Sequence, residues 1–339
     1  MSHEGRLNDL IPTMGENASN TLFYDKPAAV WNEALPIGNG RLGAMVKGTT
    51  NVDRLWMNED SVWYGGPQSR INPDCKANLA EVRRLMDSGE VEKAEKLVLK
   101  TFTSMPQGMR HYEPLGDVFL HFGHGSDPPD DSLSDTTHSG SMVANWGHKD
   151  GSDSEPSKMV IIDYQRKLAV ETGVCSVSYT EAETQYLREY FTSTADEVTC
   201  IRVSASKKGS VNFHVRLQRG DHEDPNRRQN KLYDNLEKST NGLRLHAVLG
   251  GKGAVEMAFG VRVRIEGGEL ICLGDEVEVI GADEAVIFIA GETTFRNDNL
   301  VTAITSRLDN AATKPWEQLY NDHIAIFSTL MNRDRKSVV

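Results

Sequence analysis

Cysteine is sparse in this sequence: Cys75, Cys175, Cys200 and Cys272 are the only four in 339 residues, and they stand far apart. That spacing argues against a dense disulfide framework and against a zinc-ligand cluster. The four are read as small core residues instead. Positive charge is also short, with 37 Lys and Arg against 49 Asp and Glu and a net charge of −12. Such a balance argues against a nucleic-acid partner, because phosphate contacts need clustered cations. No apolar run is long enough to span a bilayer, and residues 1–20 lack the apolar centre of a secretory signal. The expectation is therefore no membrane partner, and a cytoplasmic place unless the N-terminus is incomplete. Asn17-Ala18-Ser19 is a glycosylation sequon with meaning only on a secreted chain. The ten His are dispersed, and His121 with His124 has no third ligand nearby. No metal and no cofactor is expected, and no G-x-S-x-G nucleophile turn is present.

What the chain has in quantity is alternation. Cys175, Val177 and Tyr179 alternate with polar residues, as do Val211, Phe213, Val215 and Leu217, then Leu243, Leu245 and Ala247. Met257, Phe259, Val261, Val263 and Ile265 face away from Arg262 and Arg264. Period two with one polar face marks antiparallel strands packed on one side. Many such strands, separated by turns such as Glu266-Gly267-Gly268, predict a mainly β chain built as a large antiparallel β-sandwich. Asn72-Pro73 reads as the cap and first position of a helix. Leu79, Val82, Leu85 and Met86, then Val91, Ala94, Leu97 and Val98, recur at helical spacing on either side of Ser88-Gly89, so a helical hairpin is expected. Residues 219–240 read as a long polar loop. Leu300, Ile304 and Leu308 predict one helix near the C-terminus. A second carries Trp316, Leu319, Tyr320, His323, Ile324, Phe327 and Leu330 on a single face. Little chain remains to cover that face: either the helix folds back on the sandwich, or it links to a further domain, which is the expectation favoured here. The resulting division is a disordered tail over 1–20, a sandwich domain over 21–296 with a flexible insert at 124–158, where Trp146 is the one anchor, and a helical linker over 297–339.

Two glycine-punctuated stretches stand out. The first runs Trp31-Asn32-Glu33-Ala34-Leu35-Pro36-Ile37-Gly38-Asn39-Gly40-Arg41-Leu42-Gly43, and the second Leu55-Trp56-Met57-Asn58-Glu59-Asp60-Ser61-Val62-Trp63-Tyr64-Gly65-Gly66-Pro67. Gly38 to Gly43 matches G-x-G-x-x-G, but a dinucleotide site needs a helix after it, and Ala44-Met45-Val46 continues as a strand. The glycines are read as turns between strands. Glu33, Glu59, Asp60 and Glu113 are the carboxylates to weigh as an acid–base pair. Glu59 and Asp60 are neighbours that a strand would point to opposite faces, and Asn32, Glu33, Asn58, Glu59 and Asp60 are read as holding turns through backbone hydrogen bonds.

These two stretches resemble the signature segments of the N-terminal domain of glycoside hydrolase family 95, the α-L-fucosidases. Tyr112-Glu113-Pro114-Leu115-Gly116-Asp117, Tyr186 to Ser193, Ala290-Gly291-Glu292-Thr293-Thr294-Phe295-Arg296 and Trp316 to His323 extend the resemblance over roughly residues 22–330. Ala169 and Ile326-Phe327 depart from the family pattern, which commonly has Asp and Asp-Tyr there. The resemblance implies a β-sandwich, a helical linker and then an (α/α)6 barrel that carries the acid and base of an inverting hydrolysis of α-linked L-fucose. No catalytic residue is assigned in this chain, and the isolated chain is expected to be inactive. The implied partners are a fucosylated oligosaccharide or glycan and the missing catalytic barrel. Trp56, Trp63 and Tyr64 are the candidate sugar-stacking residues, with Asn58 and Arg41 as polar contacts. A stand-alone, non-catalytic carbohydrate-binding or interaction module is the alternative from another class, and a gene-model fragment is a third.

Overall fold

The computed structural model describes residues 20–122, 160–220 and 232–334. The tail 1–19, the sequon at Asn17, His124, the 124–158 insert with Trp146, and part of the 219–240 loop lie outside the described residues. The chain forms two compact units, the first of Met1–Val62, Pro114–Val248 and Glu256–Val339, the second of Trp63–Glu113 and Leu249–Val255.

The first unit carries sixteen strands among the described residues: β1 (Thr21–Tyr24), β2 (Leu35–Gly38), β3 (Leu42–Val46), β4 (Val52–Glu59), β5 (Gly116–His121), β6 (Ile161–Ala169), β7 (Val174–Glu181), β8 (Thr184–Thr192), β9 (Thr199–Ala205), β10 (Val211–Gln218), β11 (Asn235–Lys238), β12 (Gly242–Val248), β13 (Glu256–Glu266), β14 (Glu269–Leu273), β15 (Glu276–Ala282) and β16 (Glu284–Thr293). They pair into a nine-stranded sheet, β1-β6-β7-β8-β9-β16-β13-β12-β11, and a seven-stranded sheet, β14-β15-β10-β5-β4-β3-β2. Neighbours run antiparallel, as period-two patterning with a single buried face requires. On β10 the burial alternates residue by residue, with Val211, Phe213, Val215 and Leu217 inside. The G-x-G-x-x-G stretch is the turn from β2 into β3, with Gly40 at φ 90°, so the turn reading holds. One correction falls at 219–240, which contains the edge strand β11, hydrogen-bonded to β12. Its alternation is too short to be visible beside its polar neighbours.

Between the sheets lies a polar knot. Asp53 is fully buried and accepts from the backbone N–H of Gly48 (2.6 Å) and Arg54 (3.0 Å), from Arg188 Nη1 (3.1 Å) and from the Tyr190 hydroxyl (2.6 Å). Arg188 is buried too; its Nη2 donates to the Thr49 carbonyl at 2.8 Å, and its guanidinium lies 4.5 Å from the centroid of Phe122. A buried charge persists only when paired and hydrogen-bonded in this way.

Two helices close the outer face of the nine-stranded sheet. They follow in the chain the two hairpin helices of the second unit, α1 (Cys75–Asp87) and α2 (Val91–Thr101). α3 (Leu300–Thr313) starts at Asn299, whose side chain accepts the Thr302 N–H at 3.1 Å. α4 spans Trp316–Asp334. Leu300, Ile304, Leu308, Trp316 and Leu319 pack against Val174, Phe191, Cys200, Val286 and Phe288 of the sheet. The aromatic face of α4 is therefore covered by its own sandwich over most of its length, and only Leu330 at its end is exposed. Of the two expectations for this face, the helix does fold back on the sandwich: the sheet has an apolar outer side, and β9 and β16, buried on both faces, show no alternation that would have announced it.

His323 of α4 is buried, stacked on Phe191 with ring centroids 4.6 Å apart, and its Nε2 bonds the Thr172 carbonyl at 2.8 Å. Burial holds its pKa below the ordinary histidine value. A histidine depressed in the folded state contributes stability that is whole above the unfolded pKa of about 6.5 and is lost as pH falls toward the folded value. Denaturant midpoints are thus expected to fall between pH 7 and pH 5, with a smaller fall in His323→Gln; equal slopes in the two proteins would remove His323 as the source.

In the second unit the hairpin is present, with Val82, Leu85 and Ala94 buried. Leu79, Met86 and Val91, which the helical spacing placed with them, are exposed. Asn72 does not cap α1. Its side chain accepts the Asp74 N–H at 3.0 Å and donates to the carbonyls of Lys100 and Thr103, both at 3.0 Å, so it ties the hairpin's end to its beginning, and the helix starts at Cys75. All four cysteines are free; Cys175 and Cys200 are buried, Cys75 and Cys272 half-buried. No helix among the described residues is long and apolar enough to cross a membrane.

Candidate functional site

The candidate residues fall into three settings. Arg41 leaves the β2–β3 turn and enters an ion cluster in the first unit. Its Nη1 lies 3.3 Å from Glu59 Oε1 and donates to the Gly291 carbonyl at 3.1 Å, and its Nε lies 3.6 Å from Glu197. Glu59 and Glu292 are buried at the ends of β4 and β16. Glu59 Oε2 takes the Ser61 N–H (2.8 Å) and hydroxyl (2.6 Å), while its Oε1 also lies 3.5 Å from Arg296 Nε. Glu292 Oε1 takes the Thr293 N–H at 3.1 Å, and its Oε2 lies 2.7 Å from Arg307 Nη1. Arg307, on α3, also donates to Glu197 at 2.8 Å, and Arg296 grips Asp60 with two contacts of 2.6 and 2.7 Å.

Burial raises the Glu59 carboxyl above its ordinary pKa, against the two Ser61 hydrogen bonds that favour its charged form. A raised carboxyl is what a general acid needs. A general acid also needs an oxygen facing substrate, and the oxygens of Glu59 and Glu292 all have partners within the protein. The cluster's chemistry is to fasten the β8–β9 turn and α3 to the ends of the strands. Glu33 likewise holds its own turn, accepting the Ala29 N–H at 2.8 Å. Gly291, Glu292 and Arg296 lay within a stretch already singled out in the sequence. Glu197 and Arg307 gave no local signal, because the two are 110 positions apart.

Trp56 and Asn58 share one face of β4, two residues apart, as strand periodicity requires. The Arg54 guanidinium lies 4.7 Å from the Trp56 ring centroid and 5.3 Å from that of Phe119, and its Nη2 donates to Asp117 at 2.8 Å. Trp56 is half-buried beneath that cation.

Trp63 and Tyr64 belong to the second unit and hand their rings to different partners. Residues 63–66 run antiparallel to 110–113: Trp63 bridges Tyr112, and the Tyr64 N–H donates to the His111 carbonyl at 3.0 Å. Trp63 meets Tyr112 edge-on, with centroids 5.6 Å apart at 74°, whereas Tyr64 and His111 form an offset stack at 5.0 Å and 18°. The loop 249–255 completes this arrangement. Gly250 and Gly251, at φ 74° and 77°, lie so close to the Tyr64 ring that added Cβ atoms would stand 2.9 and 3.2 Å from it. A Cβ on Gly66 would meet the Gly253 carbonyl oxygen at 1.7 Å. Arg110 Nη1 joins the two segments, donating to the carbonyls of Gly66 (2.5 Å) and Lys252 (3.3 Å). His111 Nε2 lies 3.2 Å from Glu113, and the imidazole is 67% exposed. His111 and Glu113 were not among the sugar-contact candidates; the run Arg110-His111-Tyr112-Glu113, charged and aromatic between two glycine-bearing turns, was the available signal.

Among the described residues, no group of His, Cys, Asp and Glu is arranged to hold a metal ion. At His111 the arrangement offers an aromatic face with a fixed polar group beside it.

The chain is similar to proteins named as fucosidases. It is 28% identical over 337 residues to Alpha-L-fucosidase 2 of Arabidopsis thaliana, covering 92% of this chain and 36% of that protein. A protein of Aspergillus niger named Probable alpha-fucosidase A is 24% identical over 335 residues, 93% of this chain and 37% of that one. Its namesake from Aspergillus oryzae is 44% identical over 52 residues, 14% of this chain and 7% of the relative. The chain thus spans little more than a third of the length of the relatives it matches end to end. Residues 22–298 match the family described as glycosyl hydrolase family 65, N-terminal domain, and the chain belongs to that family.

Proposed function

We propose that this chain is the N-terminal β-sandwich part of a family 95 glycoside hydrolase that removes α-linked L-fucose from oligosaccharides or glycans by inversion. Its acid and base would lie in a helical barrel joined through α3 and α4. In this reading residues 21–296 form the sandwich domain and 297–339 lead toward the barrel. The observation that carries it is the match along nearly the whole chain to proteins named as fucosidases, at about a third of their length. The ion cluster supports the same placement, since Glu59 and Glu292 are occupied by Ser61, Thr293 and arginines. An inverting pair needs two carboxyls roughly 6.5–9.5 Å apart with a water between them. Around the hairpin unit, Trp63 and Tyr64 line the glycan path; Trp56 and Asn58 offer a second contact surface, while Arg41 acts through Glu59.

The test is hydrolysis of 2′-fucosyllactose by the purified 339-residue chain, read as free fucose. No release is expected from a folded, monodisperse sample. Release at an enzymatic rate would place the acid and base within this chain and overturn the reading. A non-catalytic carbohydrate-binding module is the second reading, favoured by the exposed His111–Tyr64 stack; it needs no barrel, so release of fucose by a longer protein that contains this chain would exclude it.

A further inference from the structure

We propose that the outward face of His111, with Tyr64 beneath it and Glu113 beside it, is a binding site for the pyranose ring of a neutral saccharide. The choice of ligand class rests on the glycoside-hydrolase reading above; the site itself rests on its geometry. A sugar ring has an apolar C–H face and a polar rim, and it is recognised by an aromatic face with fixed polar groups around it. His111 offers such a face: its side chain is 67% exposed, yet it is not loose. Tyr64 supports it from one side as an offset stack, and Glu113 fixes the imidazole through Nε2 at 3.2 Å. His111 and Glu113 are two residues apart in an extended segment and so share a side, whereas Tyr112 turns the other way, to Trp63.

The construction beneath the shelf is what separates it from ordinary exposed aromatics. Tyr64 is itself packed against the Gly250–Gly251 backbone, where both glycines have positive φ and added Cβ atoms would stand 2.9 and 3.2 Å from its ring. Arg110 locks the 63–66 and 249–255 segments together through two carbonyls. Three segments distant in sequence thus converge to hold one exposed ring in one orientation. A prearranged ring spares the ligand the entropic cost of ordering it. Packing does not require His111 to be an aromatic, since most of its surface meets solvent.

The experiment titrates the 339-residue chain with 2′-fucosyllactose, lactose and L-fucose, using ligand-observed NMR for the dissociation constant. Saturable millimolar binding is expected. His111→Ala should weaken it at least tenfold with an unchanged melting temperature, and Tyr112→Ala, on the other side of the ribbon, should leave it within twofold. Affinity unchanged in His111→Ala, an equal loss in Tyr112→Ala, or no saturable binding of any of the three sugars would overturn the site. Lactose bound as tightly as the fucosylated sugar, and lost in His111→Ala, would uphold the shelf while removing fucose from the function proposed. Fucosyllactose bound equally by wild type and His111→Ala would do the reverse.

Discussion

Ending the chain at residue 298, where the family match stops, is expected to abolish its cooperative fold. The cut removes α3 and α4, and with them Leu300, Ile304, Leu308, Trp316 and Leu319, all nearly or fully buried. Burying one large apolar side chain stabilises a fold by about 1.5–3 kcal/mol. Five of them amount to roughly 10 kcal/mol, comparable with the whole net stability of an ordinary domain at about 5–15 kcal/mol. The loss is compounded on the sheet, where Phe191, Phe288, Cys200 and Val286 would meet water. Polar ties go too: Arg307 to Glu197 and Glu292, Lys314 to Asp196, and Arg264 to the carbonyls of Ala312 and Lys314. The 1–298 chain should be insoluble, or bind a hydrophobic dye while keeping its strand signal in circular dichroism. Leu319→Asp in the full chain gives a finer measure and should lower the melting temperature steeply. A soluble 1–298 chain melting cooperatively within a few degrees of the full one would make the helices accessory.

That expectation also shows where the sequence was legible. Period-two runs such as Val211 to Leu217 announced a half-buried strand directly, because one face of β10 meets the core and the other does not. β9 and β16 are buried on both faces, so they show no alternation, and nothing local says that two helices lie over them. At Asn72 the local pattern gives half of the arrangement: its oxygen accepts the Asp74 N–H just ahead of a helix that starts at Cys75, while its amide donates to Lys100 and Thr103, distant partners that local pattern cannot supply. The helical spacing in α1 and α2 was correct, but the second unit is small and buries only part of each apolar stripe, leaving Leu79, Met86 and Val91 in solvent. At the site, Trp63 and Tyr64 were legible as residues, but their assignment to two separate ring pairs was not. It follows from a bridge to Tyr112 nearly fifty positions on. Arg41 meets carboxylates from three other parts of the chain, Glu59, Glu197 and Glu292, and a single sequence does not record such pairings.

The buried knot between the sheets is the place where one substitution should cost most. Asp53→Asn preserves volume and shape but removes the charge that faces Arg188, whose side chain is wholly inaccessible to solvent. Burial also pushes the Tyr190 hydroxyl well above its ordinary pKa, so it stays protonated and donates to Asp53. An amide has one oxygen: with it kept on the Gly48 and Arg54 N–H groups, its NH2 stands where Oδ2 stood, and both Arg188 Nη1 and the Tyr190 hydroxyl lose their acceptor. Breaking a buried pair by removing one member costs about 3–5 kcal/mol, because the remaining charge is desolvated and unanswered. Removing both members is a different matter. Arg188→Met leaves an apolar chain between Phe122 and Tyr179, the rings that flank the guanidinium, and such replacements are often neutral once the partner is also neutral. The double variant Asp53→Asn with Arg188→Met is therefore expected to be more stable than Asp53→Asn alone, by urea denaturation at pH 7. The strong sub-additivity would register as a coupling energy of a few kcal/mol. Arg84→Ala, which breaks only the exposed Arg84–Glu81 pair of α1, should leave the midpoint unmoved. If Asp53→Asn also left it unmoved, Arg188 would have to be answered by the Thr49 carbonyl and the two rings alone. If the double variant were as unstable as the sum of the singles, Asp53 would be acting on the Gly48 turn and not on the charge, and the backbone N–H groups of Gly48 and Arg54 would be its reason for being buried.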